Sequence, residues 1–134
     1  MKILLDENIQ RRMKRFLIGD FQVFTLNDMG WLGYQNGVLR EKLNENSFEF
    51  FITADKNLPF QQNLNKANFT VILLDSPASA WRFHTLLVPI IQDFLQNAPL
   101  IRPKLVLIQS ENWENERLIE NLKLKLPSDQ ILFI

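Results

Sequence analysis

The chain has 134 residues, of which 46% are hydrophobic and 22% charged, as expected for one globular domain with a single core. Its 15 basic and 15 acidic residues give a formal net charge of zero, so any contact with nucleic acid must come from a local patch. The absence of cysteine excludes disulfides and thiolate metal sites. We expect a cytoplasmic protein without a membrane span, because no apolar run is long enough and a strand starting at residue 2 leaves no room for a signal peptide.

Strands and helices are predicted to alternate along the chain. Ile3, Leu4 and Leu5 form an apolar run too short for a helix, which is typical of a strand buried on both faces. Four later segments have the same character: 21–26, 48–54, 69–74 and 104–109. Helices are predicted around them: 7–18, 36–45, a short one from 57, 76–97 and 113–124. Pro89 is expected to kink or divide the fourth helix. The alternation predicts an α/β fold of parallel strands joined by right-handed crossovers.

The C-terminal segment, residues 111–134, is set apart from residues 1–110 by its pattern. Its predicted helix carries Leu118, Ile119 and Leu122 on one face, and the apolar run ILFI follows at residues 131–134. Such a segment either completes the core of the same domain or contacts another chain. Both alternatives are open from the sequence.

Aspartates stand where three of the predicted strands end. Asp6, Asp55 and Asp75 follow the first, third and fourth strands. Because the carboxyl ends of parallel strands lie along one edge of a sheet, these carboxylates are expected to converge. Crowded carboxylates repel one another unless a cation compensates them, and Mg²⁺ or Mn²⁺ prefers such oxygen ligands. The pattern therefore indicates a metal site suited to phosphodiester cleavage. The alternative is that each aspartate caps a helix or a turn.

Basic side chains lie close to two of these aspartates in the sequence: Arg11, Arg12, Lys14, Arg15 and Lys56. They are suited to contacts with RNA phosphates, although a run of charges is also typical of the solvated face of an amphipathic helix. His84 lies on an apolar predicted helix without a companion histidine. We expect it to be structural.

Three motifs, KILLDEN at 2–8, MGWLGYQNG at 29–37 and FITADKNL at 51–58, resemble the PIN-like domains of the DUF5615 group. These are small bacterial and archaeal relatives of the VapC-type toxin nucleases. The resemblance covers residues 1–96. It implies a three-layer α/β/α PIN-like fold for residues 1–110, with a central, mostly parallel five-stranded sheet of order 3-2-1-4-5. It also implies an Mg²⁺-dependent endoribonuclease, the toxin component of a toxin–antitoxin system.

The resemblance also implies roles for individual residues. Asp6 matches the acid after the first strand, Asp55 the acid of the T-x-D motif and, more loosely, Asp75 the acid after the fourth strand. These three are the expected catalytic residues and metal ligands. Asn36 stands where many relatives carry an aspartate, and it and Glu7 are further candidate ligands. Because an amide brings no charge, the alternative is a catalytically weakened or inactive binding or regulatory module.

The partners follow from the same resemblance. A nuclease of this kind would act on single-stranded RNA, through Mg²⁺ or Mn²⁺. VapC-like proteins commonly dimerise and are bound by small antitoxins, which implies a homodimer or an antitoxin complex. The sequence names neither the RNA target nor the antitoxin.

Overall fold

Six parallel strands form one sheet in the computed structural model, which describes all 134 residues. The strands are β1 (Lys2–Leu5), β2 (Gln22–Thr25), β3 (Phe50–Thr53), β4 (Thr70–Asp75), β5 (Leu105–Gln109) and β6 (Ile131–Phe133). The α-helices are α1 (Leu26–Met29), α2 (Asn36–Glu45), α3 (Leu58–Gln61), α4 (Trp81–Gln96) and α5 (Glu116–Lys125). Short 3-10 helices span Arg11–Arg15, Leu64–Lys66 and Ser128–Gln130. The predicted α/β alternation is confirmed.

The order of the strands is β2-β1-β3-β4-β5-β6, and every neighbouring pair is parallel. The expected count of five strands is therefore wrong, and so is the expected order 3-2-1-4-5. The sixth strand comes from the C-terminal segment, where Ile131 pairs with Leu105. Residues 131–133 thus extend the same sheet as the rest of the chain. No helix combines the length and apolar character needed to cross a membrane.

Two apolar layers cover the two faces of the sheet. Side chains alternate along each strand, so that Leu4 belongs to one layer while Ile3 and Leu5 belong to the other. Helices α2, α3 and α5 contribute to the first layer. The segment after β1 and helix α4 contribute to the second. Because both faces are buried, the strands read in the sequence as continuous apolar runs.

One crossover has the opposite hand from its neighbours. The connections β3–β4, β4–β5 and β5–β6 all step the same way across the sheet, yet α4 lies on the face opposite α3 and α5. Connections that step the same way over opposite faces have opposite hands, so the expectation of uniformly right-handed crossovers is wrong. On its face, α4 is the only long helix. Its buried side chains belong to the same apolar layer as Leu74 of β4 and Ile108 of β5.

Two predicted helices differ from those observed. The helix expected at 7–18 is a turn followed by the 3-10 helix, because the side chain of Asn8 and the carbonyl of Asp6 tie this segment to the ends of β3 and β1. Helix α4 continues through Pro89, which lies on its exposed side. The hydrogen bond that proline removes there would reach the carbonyl of exposed Thr85, so no buried carbonyl is left unpaired.

Candidate functional site

The topological switch point of the sheet lies between β1 and β3. After β1 the chain crosses one face through Ile9 and Met13, whereas after β3 it crosses the other through Leu58. Open α/β sheets bind ligands in the crevice that such a divergence leaves outside the carboxyl ends of the strands. Asp6 and Asp55 follow these two strands and therefore flank the crevice.

A single hydroxyl group links the two aspartates. Thr53 Oγ1 donates a hydrogen bond of 2.6 Å to Asp6 Oδ2 and accepts one of 3.0 Å from the backbone N–H of Asp55. The backbone N–H of Glu7 donates to the other carboxylate oxygen of Asp6 at 2.8 Å. These bonds fix the direction of the Asp6 carboxylate. Thr53 was missed as a site residue, although it forms part of the T-x-D motif.

Asn8 joins the loop after β1 to the end of β3. Its Oδ1 accepts a hydrogen bond of 3.0 Å from the backbone N–H of Ala54, and its Nδ2 lies 3.5 Å from Asp6 Oδ2. Asn8 belongs to the KILLDEN motif but was not among the expected site residues. In the structure it holds the two sides of the crevice together.

The electrostatic environment of Asp6 is unfavourable to its charge. Burial raises the pKa of Asp6, and the carboxylates of Glu7 and Asp55 raise it further, against the opposing effect of the hydrogen bonds from Thr53 and the Glu7 N–H. No basic side chain forms an ion pair with Asp6. The crevice thus holds negative charge that the protein itself does not neutralise.

Asp75 has the opposite environment. It is fully buried, and its Oδ1 accepts hydrogen bonds from Trp113 Nε1 at 3.0 Å and Asn115 Nδ2 at 3.2 Å. Its Oδ2 accepts from Gln109 Nε2 at 3.0 Å, and Lys56 Nζ lies 3.6 Å from Oδ1. The acceptor positions of Asp75 are therefore largely occupied by protein donors. Lys56, expected to contact RNA, is also the ion-pair partner of this aspartate.

The remaining candidate ligand, Asn36, lies at the start of α2. Its Nδ2 donates a hydrogen bond of 3.2 Å to Gln61 Oε1 on α3, and it makes no hydrogen bond to Asp6 or Asp55. No three histidine, aspartate or glutamate side chains are grouped closely enough to hold a metal ion by themselves. Glu7 and Asp55 are the acidic neighbours that act on Asp6, and the expected ligand set of Asp6, Asp55 and Asp75 stays a prediction.

The predicted basic residues lie beside the crevice. Arg11, Arg12 and Arg15 are exposed on the 3-10 helix that follows it. An open groove of ≈ 650 Å³ runs from Glu7 and Asn8 to the two arginines at 11 and 12. Basic side chains therefore line a surface that begins next to Asp6.

His84 lies on α4 and is fully buried, with no hydrogen-bond partner for either ring nitrogen. Burial lowers the pKa of His84, and the positive charge of Lys56 lowers it further. Both effects favour the neutral imidazole.

No family model matches the chain, and no curated protein and no solved structure is similar enough to match it. The resemblance to PIN-like nucleases consequently rests on the three sequence motifs alone and stays a prediction.

Proposed function

We propose that this protein is an Mg²⁺- or Mn²⁺-dependent endoribonuclease that cleaves single-stranded RNA at the crevice between β1 and β3. The observation that carries the proposal is the state of Asp6. Its carboxylate is mostly withdrawn from water, its pKa is raised, and its charged neighbours are acids. Such an uncompensated charge adds nothing to the stability of the fold. Groups with pKa values raised in this way are typical of functional sites.

The side chains in the crevice have the chemistry that a hard cation requires. Mg²⁺ is usually bound through one or two protein carboxylates together with water and substrate phosphates. Asp6 and Asp55 would provide these carboxylates, with Glu7 at the rim. When bound, the ion would activate a water molecule and stabilise the leaving oxygen during phosphodiester cleavage.

Other residues would prepare the site. Thr53 orients the Asp6 carboxylate through its 2.6 Å hydrogen bond. Asp75 holds the ammonium group of Lys56, which follows Asp55 in the chain, and so keeps a positive charge available for an RNA phosphate. Asp75 is in this proposal a positioning residue. The toxin role, the small antitoxin and the homodimer rest on the resemblance alone.

The test is a cleavage assay with single-stranded RNA, with and without Mg²⁺ or Mn²⁺. The wild-type protein is expected to cleave only when the metal is present, and Asp6→Asn is expected to lower the rate about 100-fold or more, because one carboxylate ligand is removed. Asp20→Asn is the matched control, since Asp20 is exposed and outside the crevice. Absence of metal-dependent cleavage, or equal rates for the wild type and Asp6→Asn, would contradict the proposal.

A second candidate is a PIN-like binding or regulatory module without catalysis. The occupied acceptor positions of Asp75 and the bond between Asn36 and Gln61 favour it, since both leave fewer free ligands at the crevice. Such a module would bind RNA or a protein partner and leave RNA intact at any metal concentration. The same assay, combined with a binding measurement, separates the two candidates.

A further inference from the structure

Two aromatic rings and one cation form a platform, and its cation, Arg12, also lies in the groove that starts at Glu7 and Asn8. The rings of Phe16 and Trp81 pack together with centroids 5.6 Å apart and planes tilted by 33°. The guanidinium group of Arg12 lies 4.6 Å from the centroid of the Trp81 ring. Phe16 is 49% exposed although it packs on Trp81, so part of its ring is open to solvent. We call this group the Phe16–Trp81–Arg12 platform.

Arg12 also joins the platform to two adjacent grooves. The groove of ≈ 650 Å³ that starts at Glu7 and a second groove of ≈ 320 Å³ share Arg11 and Arg12 in their walls. The second groove also contains Lys14 and Arg15. The two grooves therefore adjoin at Arg11 and Arg12. The first contains Glu7, which follows Asp6 in the chain, and Arg12 also contacts Trp81 of the platform. We call the two grooves together the basic path.

The two acids in the walls of the grooves, Glu7 and Asp28, cancel only part of the positive charge. Lys14 forms an ion pair of 2.9 Å with Asp28, whereas Arg11, Arg12 and Arg15 form none. In a chain whose formal net charge is zero, three unpaired guanidinium groups within five residues form a distinct positive patch.

We infer that the platform and the two grooves bind single-stranded nucleic acid, which is RNA under the proposed function. Phosphates would contact the arginines, and one base would stack on the open part of the Phe16 ring. Exposed aromatic rings beside a basic groove are the usual means of binding single strands without reading their sequence. A base within a duplex cannot offer its face to a ring, and an acidic peptide would use the arginines without needing Phe16.

The inference rests on the proposed function for the choice of RNA and for the course of the strand towards Asp6, whereas binding itself needs no metal. The experiment measures fluorescence anisotropy of a labelled single-stranded oligoribonucleotide in the presence of EDTA, so that cleavage does not interfere. Phe16→Ala is expected to weaken binding about 5- to 150-fold, the usual effect of removing one stacked base. Phe16→Tyr is expected to bind as the wild type does, since it keeps the ring.

Two further variants exclude trivial explanations. Phe16→Leu keeps an apolar contact with Trp81 but has no ring, and it should lose as much affinity as Phe16→Ala while remaining folded. Phe60→Ala is the matched control: Phe60 is 37% exposed and lies in a groove with Lys125, near the helices of the opposite face. Its affinity for RNA should be unchanged.

Arg12 provides an independent measure of the binding of phosphates. Arg12→Ala is expected to weaken binding and to lower the dependence of log K on log salt concentration by about 0.7 for each RNA phosphate that the variant no longer neutralises. Arg117→Ala, which removes an exposed arginine from α5 on the other face, should alter neither quantity.

Two results would overturn the inference: unchanged affinity in Phe16→Ala and Phe16→Leu, or equal affinity for duplex RNA or for a polyglutamate peptide. Cleavage by the wild type in Mn²⁺ is measured separately. RNA binding that depends on Phe16 without any cleavage would contradict the nuclease proposal and support this inference. RNA cleavage combined with RNA binding that the Phe16 substitutions leave unchanged would support the nuclease proposal and contradict this inference.

Discussion

Asp6 and Asp75 occupy equivalent places at the ends of parallel strands, yet their environments differ in every respect. Asp75 is fully buried, accepts hydrogen bonds from three side chains and lies 3.6 Å from an ammonium group. Asp6 is partly exposed, has the Thr53 hydroxyl as its one close side-chain donor, and has acids as its charged neighbours. The protein stabilises one carboxylate and leaves the other uncompensated.

The elements around each strand end explain the difference. Beyond β4, the end of β5 and the loop before α5 place Gln109, Trp113 and Asn115 around Asp75. At the switch point beyond β1, the chain diverges to opposite faces, and no equivalent set of donors surrounds Asp6. An aspartate after a buried strand thus has several side-chain donors where later elements cover it, and few where the elements diverge.

The largest expected effect on stability belongs to Asp75→Asn. The substitution removes the charged partner of Lys56 and turns one acceptor oxygen into a donor that faces buried donors, so we expect the free energy of unfolding to fall by about 2–3 kcal/mol. Chemical denaturation measures this change, and Asp20→Asn, at an exposed position, should stay within about 0.5 kcal/mol of the wild type. A decrease below about 1 kcal/mol in Asp75→Asn would remove the contrast with Asp6.

The same substitution at Asp6 should act in the opposite direction. Because its pKa is raised above 3.8, the folded state favours the protonated carboxyl. The stability that Asp6 contributes is present in acid and is lost as the pH rises through that raised pKa. At pH 7, Asp6→Asn should therefore increase the free energy of unfolding, by up to about 2 kcal/mol, and the gain should vanish in acid. Denaturation at several pH values tests this; a decrease at pH 7 would make Asp6 structural, like Asp75.

A smaller effect is expected at His84, close to the ion pair of Asp75. The folded state favours the neutral imidazole, so stability is complete above pH 6.5 and is lost as the pH falls below 6.5 towards the lowered pKa. His84→Leu should remove this loss in acid. At pH 7.5 it should also raise the free energy of unfolding by about 1 kcal/mol, because the substitution removes two unpaired ring nitrogens from the core. Less favourable packing of the leucine side chain offsets part of that increase. Melting curves at pH 7.5 and 5 measure both effects; equal acid sensitivity in the variant would show that another group titrates.

The alternation of strands and helices could be predicted because each strand is buried on both faces and leaves an uninterrupted apolar run. The placement of Asp6 and Asp55 after two neighbouring strands followed from the same argument about parallel strands. The sixth strand could not be recognised, since a three-residue run is too short to tell from an apolar tail. The hydrogen bonds that occupy Asp75 could not be predicted either, because its partners lie 34 to 40 positions further along the chain.

The parallel arrangement of all six strands also has a consequence for the rate of folding. The sheet contains no hairpin, and even the nearest paired residues, such as Lys2 and Gln22, are about twenty positions apart. Each pairing must first close a long loop, which delays the gain from the contacts, so a high contact order and slow folding are expected. The charge at the end of β4 is compensated fully only when residues 109–115 dock. The sealing of that strand end therefore requires β5 to be paired with β4 beforehand or at the same time.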